Sequence, residues 1–287
     1  MTAPYLALGL AGPQLVELTG DPGLLARWDR LPVAFTVLGL DRIDGSAPAS
    51  QTLDSSAVGA VLAARTDNGR FLVVASPQRD HPYNLARRTV SLGHLSRGRS
   101  GLLIGARDGY SARTPDGASA WGPPLTAETA AAVADAVRKL EQSWPHESII
   151  GDRETGILVR SHEIVHADIG GAFPIAGPLT APEPPTGASV LAGWGPGSGP
   201  VDLVLGGASV VVTPLGAQPP RDVTGVLLQA AAEQSLGELL GAAEGLLAAG
   251  FRPVPAGPLR TALGLAPASR AVAGRAAFPE PQPYPSL

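Results

Sequence analysis

The chain has no cysteine, which excludes disulfides, thiolate nucleophiles and thiolate metal ligands together. Charge is also scarce: Asp, Glu, Lys and Arg make up 16% of the 287 residues, and the formal net charge is −4. With no block of Lys and Arg there is no electrostatic footprint for nucleic acid or for an anionic membrane surface, so neither is expected as a partner. No apolar run approaches the ~20 residues that a membrane-spanning helix needs. The amino terminus lacks a basic segment followed by a long apolar core, so the expected location is cytoplasmic. No internal repeat is present.

What remains suits a large α/β fold. Hydrophobic residues reach 44%, enough for a sizeable core, and a chain of this length holds one barrel or two small domains. The pattern alternates. Strands are expected at Tyr5 to Leu10, Val33 to Leu40, Phe71 to Ser76, Gly101 to Gly105, Ser189 to Ala192, Val201 to Leu205 and Ser209 to Thr213. Helices are expected at Leu53 to Arg65, with Leu53, Ala57, Ala60, Val61 and Ala64 on one face, then from Asn84 as N-cap, from Thr126 to Trp144, and from Val223 to Leu247. Strands alternating with helices imply parallel pairing and right-handed crossovers. The expectation is one TIM-type (β/α) barrel over residues 1–275 and a proline-rich tail over 276–287. The 36 glycines and 29 prolines concentrate in loops, mainly Arg107 to Pro124, Ala176 to Pro200 and Pro214 to Pro220.

The most informative stretch is Asp80 to Arg99, DHPYNLARRTVSLGHLSRGR, which joins an apolar strand to a helix through a loop rich in polar side chains. It resembles the bacterial luciferase-like flavin monooxygenases, in the branch with nitrilotriacetate and dibenzothiophene-sulfone monooxygenases, where a strand runs into a PYNLARR…SLDHLSGGR helix. Further blocks agree with that family. Val133 to Trp144 followed by Gly151-Asp-Arg-Glu-Thr-Gly156 resembles a helix ending in W-x-S-W and an ADRESG segment. His166 and Gly170 to Pro185 resemble an H…G..F.V.GPLN.PRPPQG segment, and Glu238 to Leu265 resembles the closing helix and tail. Family members are longer, and between Gly193 and Glu238 this chain has about two strands where they have several elements, so the barrel is expected to be abbreviated in its second half.

The resemblance implies an FMNH2-dependent monooxygenase acting on a small organic substrate, with the reduced FMN supplied by a separate flavin reductase and the barrel excluding water from the reaction. Homodimers through the early helices are common in the family, and related barrels use a deazaflavin. Residue by residue, the family's flavin-side aspartate at the end of the second strand falls on Asp41, where a carboxylate could accept from a flavin N–H or a ribityl hydroxyl; a solvated loop aspartate is the alternative. Of the small hydroxyl residues that close the third strand only Ser76 is retained, and a turn residue is its plainer reading. His81, at the barrel mouth, is the candidate general acid or base, against a surface-loop histidine.

Other positions depart from the family. Its histidine and tyrosine that reach the flavin phosphate fall on Pro123 and Ala127, and its phosphate-binding serine falls on Gly195, none of which has a donor side chain. The glycines Gly193, Gly195, Gly197 and Gly199 offer a backbone anion nest in compensation, or simply a flexible loop. These losses keep a second function open: a degenerate, non-catalytic member that binds flavin weakly or not at all and serves as a partner subunit. His162-Glu-Ile-Val-His166 matches the H-E-x-x-H zinc motif, but Gly170 and Gly171 end any helix soon after and no third ligand is evident beyond Glu183, so it is read as coincidence and no metal is expected.

Overall fold

The computed structural model describes residues 3–111, 126–195, 203–204 and 210–283. Eight strands form one sheet: β1 (Tyr5–Leu10), β2 (Thr36–Leu38), β3 (Phe71–Ala75), β4 (Ser100–Ile104), β5 (Val190–Trp194), β6 (Leu203–Val204), β7 (Val210–Pro214) and β8 (Gly225–Gln229). Their order is β6-β5-β4-β3-β2-β1-β8-β7. Seven strands run parallel, and β6 alone pairs antiparallel, on β5. The helices are α1 (Gly12–Gly20), α2 (Pro22–Arg30), α3 (Ser55–Arg65), α4 (Pro82–Leu95), α5 (Ala127–Glu141), α6 (Leu236–Ala248) and α7 (Leu259–Ala262).

Alternation along the strands builds two cores. Leu6, Leu8 and Leu10 of β1, Phe71 and Val73 of β3, Leu102 and Ile104 of β4 and Val226 and Leu228 of β8 face outward and pack on Leu15, Leu62, Val90, Val137 and Leu240 of the surrounding helices. Their neighbours Ala7, Val37, Leu72, Val74, Leu103, Val190, Ala192, Val210 and Leu227 form a second cluster inside the sheet, with Val254 and Leu259 joining it. That one inner cluster takes residues from β5 round to β7, in keeping with a curled sheet. Chain connectivity requires the same: a flat ribbon would separate β6 from β7 by about 34 Å, whereas the residues between them reach at most ~20 Å. No ladder joins β6 to β7 among the described residues, and the architecture described is an α/β half-barrel curled like a TIM-type barrel. No described helix is long and apolar enough to cross a membrane.

Several local expectations are corrected. Val223 to Leu247 is not one helix: Gly225–Gln229 is β8, inserted between β1 and β7, and the helix begins at Leu236 behind the Ser235–Glu238 capping box. A short apolar run such as Val226-Leu-Leu228 does not reveal its own period, and here sheet pairing decides. A Cβ on Gly225 would lie 2.3 Å from the Tyr5 ring, so the strand fits there only as glycine. Helices α1 and α2, which the periodicity did not reveal, start with prolines at their first turns, where a missing N–H costs nothing, and Asp21 caps α2 through Gly23 and Leu24. The buried face of α3 is Val58, Gly59, Leu62 and Ala63, while Ala57 and Ala64 are exposed. Gly59 sets that rotation, because it lets the helix approach Phe71 and Val73. The N-cap of α4 is His81, with Pro82 as the first helical residue, and Asn84 lies within the helix.

Opposite the functional end, Arg70 is 3% exposed and donates to the carbonyls of Val33, Ala34, Val254 and Pro255. It ties the segment after α6 to the amino ends of the strands. The floor of the half-barrel is therefore closed, and the carboxyl ends of the strands carry what space remains.

Candidate functional site at the carboxyl ends of the strands

A cavity of ≈ 830 Å³ opens where β2, β3, β4 and β5 end. Its wall takes Arg42, Ile43 and residues 44–48 from the loop after β2, Gln78 from the loop after β3, and Arg107 and Asp108 from the loop after β4. Trp194 and Gly195 at the end of β5 and Thr126 and Ala127 at the start of α5 complete it. The volume falls within the ~300–1,000 Å³ usual for small-molecule sites, at the strand ends where α/β folds bind ligands.

Charge at this rim is organised by Asp108. Its carboxylate accepts from Arg42 Nη1 at 3.1 and 3.2 Å and from the Tyr110 amide at 3.0 Å, with Arg79 Nη1 at 3.9 Å. Arg79 continues to Asp54 at 2.7 Å, and Gln78 Oε1 accepts from the Asp108 amide at 3.0 Å. Three successive loops are thereby joined through one carboxylate, which leaves Arg42 and Asp108 mutually neutralised. Arg107, also on the cavity wall, is exposed and has no ion-pair partner among the described residues. Among the described residues the cavity thus offers one uncompensated cation, and the amino terminus of the fifteen-residue α5 also borders it; Thr126 caps the Thr129 amide there, and the remaining first-turn N–H groups favour an anion.

A second feature is sealed beside the cavity. Asp41 follows β2 in a 3-10 turn and is 4% exposed. Its Oδ2 accepts from the Gly12 amide at 3.2 Å and from the Tyr110 hydroxyl at 2.5 Å, while Oδ1 is buried without a partner. Burial raises the Asp41 carboxyl above its ordinary range against the pull of those hydrogen bonds. Burial and the adjoining Asp41 push the Tyr110 phenol up to about 12. The Arg42 guanidinium lies 4.6 Å over the Tyr110 ring, so this phenol stands between the acid and the cation.

The residues singled out from sequence distribute around this rim. Asp41 and Ser76 lie on neighbouring strand ends; Arg42 and Ser76 line the same narrow crevice with Ile43, Asp80 and Asp108. Ser76 Oγ accepts from the Gln78 amide at 3.2 Å, a turn-forming contact. Gly195 lines the cavity, whereas Gly193 lies within the sheet between Ile104 and Val204. Gly197, Gly199 and Pro123 lie outside the described residues. His81 is not among the cavity-lining residues: its Nδ1 accepts from the Tyr83 amide at 3.3 Å, and its ring meets Phe173 edge-on at 6.4 Å. His162 and His166 do not share a helix, since only a 3-10 turn at Ser161–Glu163 forms there, and no group of three His, Asp or Glu side chains is placed to hold a metal among the described residues. Sequence reading missed Arg42, Arg107, Asp108 and Tyr110 as site residues. The available signal was position, because Arg107-Asp108-Gly109-Tyr110 directly follows an apolar strand at its carboxyl end.

No family model matches the chain. One of the subunits of pristinamycin IIA synthase from Streptomyces pristinaespiralis is 30% identical over 213 residues, covering 71% of this chain and 69% of that protein. N-acetyl-S-(2-succino)cysteine monooxygenase of Bacillus subtilis is 29% identical over 134 residues, 45% of this chain and 30% of that protein. Among solved structures, the long-chain alkane monooxygenase LadA superposes with a TM-score of 0.51 at 20% identity over 69% of this chain and 53% of its own. EDTA monooxygenase from Chelativorans sp. BNC1 superposes with a TM-score of 0.50 at 22% identity over 68% and 50%. At that identity these two superpositions speak for the fold alone, and the chain spans about half the length of either structure. With the sequence relationship to the Streptomyces synthase, the chain belongs to the luciferase-like monooxygenase family.

Proposed function

We propose that the rim cavity binds reduced FMN and that the chain is the oxygenating component of a flavin-dependent monooxygenase acting on a small organic substrate. The observation that carries the reading is a flavin-sized cavity whose wall holds both Arg107, unpaired among the described residues, and the start of α5. The residues present fit the cofactor. Arg107 and the first N–H groups of α5 would hold the phosphate, in place of the side-chain donors missing at Ala127 and Gly195. Trp194 and Ile43 give an apolar wall for the ring system. The buried, unpartnered Oδ1 of Asp41, sealed beside the cavity, would accept from a flavin N–H that reached it. Reduced flavin, when bound, supplies the electrons that activate molecular oxygen.

The protein's part is positioning and exclusion of water. Asp108 holds the three rim loops in register, and Arg42, neutralised by it, closes the cavity base without competing for the phosphate. His81 is occupied in capping α4, so the reading gives it no proton-transfer step. The reduced cofactor comes from a separate reductase. A relative named as one subunit of a synthase supports a chain that works with a second polypeptide.

The test is an anaerobic titration of the wild type and Arg107→Ala with FMN, reduced FMN and riboflavin. Reduced FMN should bind the wild type in the micromolar range. Arg107→Ala should weaken FMN about tenfold or more while leaving riboflavin, which lacks the phosphate, unchanged. Absence of binding at high micromolar reduced FMN would remove the enzyme reading, and equal losses for FMN and riboflavin would remove Arg107 from the phosphate site.

A further inference from the structure

The outer wall of the cavity is a strap, residues 45–50, with no helix or strand of its own. It starts at Gly45, whose φ of +89 suits glycine and whose Cβ position meets nothing within 4 Å, so the start of the strap is sterically free. Beyond its far end, the Gln51 carbonyl oxygen would lie 2.2 Å from a Cβ on Gly12, so the chain there rests directly on the turn between β1 and α1. Between these ends, one hydrogen bond ties residues 45–50 to another segment among the described residues: the Ala49 amide donates to the Tyr110 hydroxyl at 2.8 Å. That hydroxyl donates its own proton to Asp41 Oδ2.

We propose that Tyr110 is a positioning residue that latches the strap over the cavity by bridging the Ala49 amide to the Asp41 carboxylate. The bridge spans the loops after β2 and β4, so it closes the cavity from both sides at once. It also explains the sealed acceptor. Asp41 Oδ1 is buried and unpartnered while the strap is down, a costly state that ends when a ligand donor reaches it. Opening the strap is the step that lets a ligand's polar edge in, and reclosure shuts water out behind it. The ligand side of this inference rests on the flavin reading above; the latch itself does not.

Hydrogen exchange separates the two. In Tyr110→Phe, which keeps the ring under Arg42 but loses both hydrogen bonds, amides of residues 45–50 should exchange about fivefold faster or more. Amides of β1 and β3 should be unchanged, which shows that the fold is intact. Asp41→Asn retains an oxygen for the phenol and should keep wild-type exchange in the strap. Stopped-flow mixing of Tyr110→Phe with FMN should show association and dissociation both accelerated, with the ratio changing less than either rate. Wild-type exchange of the strap in Tyr110→Phe would overturn the latch. If FMN fails to bind the wild type, the flavin reading falls while the exchange result still decides the latch.

Discussion

Arg42 Nη1 lies 3.1 Å from Asp108 Oδ2, joining the loops after β2 and β4 across the end of β3, with the two side chains 9% and 4% exposed. A pair this buried is stabilising only as a pair, because removal of one member strands the charge of the other. Asp108→Asn should therefore lower the unfolding free energy by about 3 kcal/mol. The double variant Arg42→Met/Asp108→Asn should be more stable than Asp108→Asn alone, since no buried cation is left unpaired. Urea denaturation of the wild type, Arg42→Met, Asp108→Asn and the double variant checks this. A double variant with the summed loss of both singles would mean that the two side chains do not act on each other.

Gly69 closes the turn before β3, against the face of Trp28. A Cβ there would lie 2.3 Å from two ring carbons, and the ring cannot retreat because its Nε1 donates to Thr36 Oγ1 at 2.9 Å inside the core. The Gly69 amide also donates to Asp29 at 2.7 Å, which fixes the backbone. Gly69→Ala should cost about 2–3 kcal/mol through overpacking and shift the Trp28 fluorescence. Gly20→Ala, where nothing lies within 4 Å, serves as the control and should change stability by less than ~0.5 kcal/mol.

The parts of the fold legible in sequence were those set by local chemistry. Phe71 to Ala75 reads as a strand because five consecutive apolar residues need cover on both faces, and Pro82 marks a helix start because only a first turn tolerates it. Thr126 announces α5 as a cap. The site was legible only as a place, the carboxyl rim. Arg42 and Asp108 are 66 residues apart in the chain, as Asp41 and Tyr110 are 69 apart, and no periodicity links such pairs; only the order β2-β3-β4 brings them together. Val226 to Leu228 failed for a different reason: the same three residues suit the interior of a strand or a helix, and the choice is made by β1 and β7 on either side.

Asp41 gives a pH signature that distinguishes burial from hydrogen bonding. Its carboxyl is raised above the ordinary 3.8, with burial outweighing the Tyr110 and Gly12 donors. An acid held above its unfolded value favours the folded state fully below about pH 3.8, and that contribution is lost as the pH rises through the folded value. Asp41→Asn cannot ionise, so it escapes the loss. The stability of Asp41→Asn relative to the wild type should accordingly increase as the pH is raised from about 4, then level off once the wild-type carboxyl is fully ionised. Urea unfolding of both proteins at successive pH values gives the difference directly, and contributions from every other acid cancel in it. A difference that falls with rising pH would mean that the Tyr110 and Gly12 hydrogen bonds dominate and that Asp41 is held below its ordinary value.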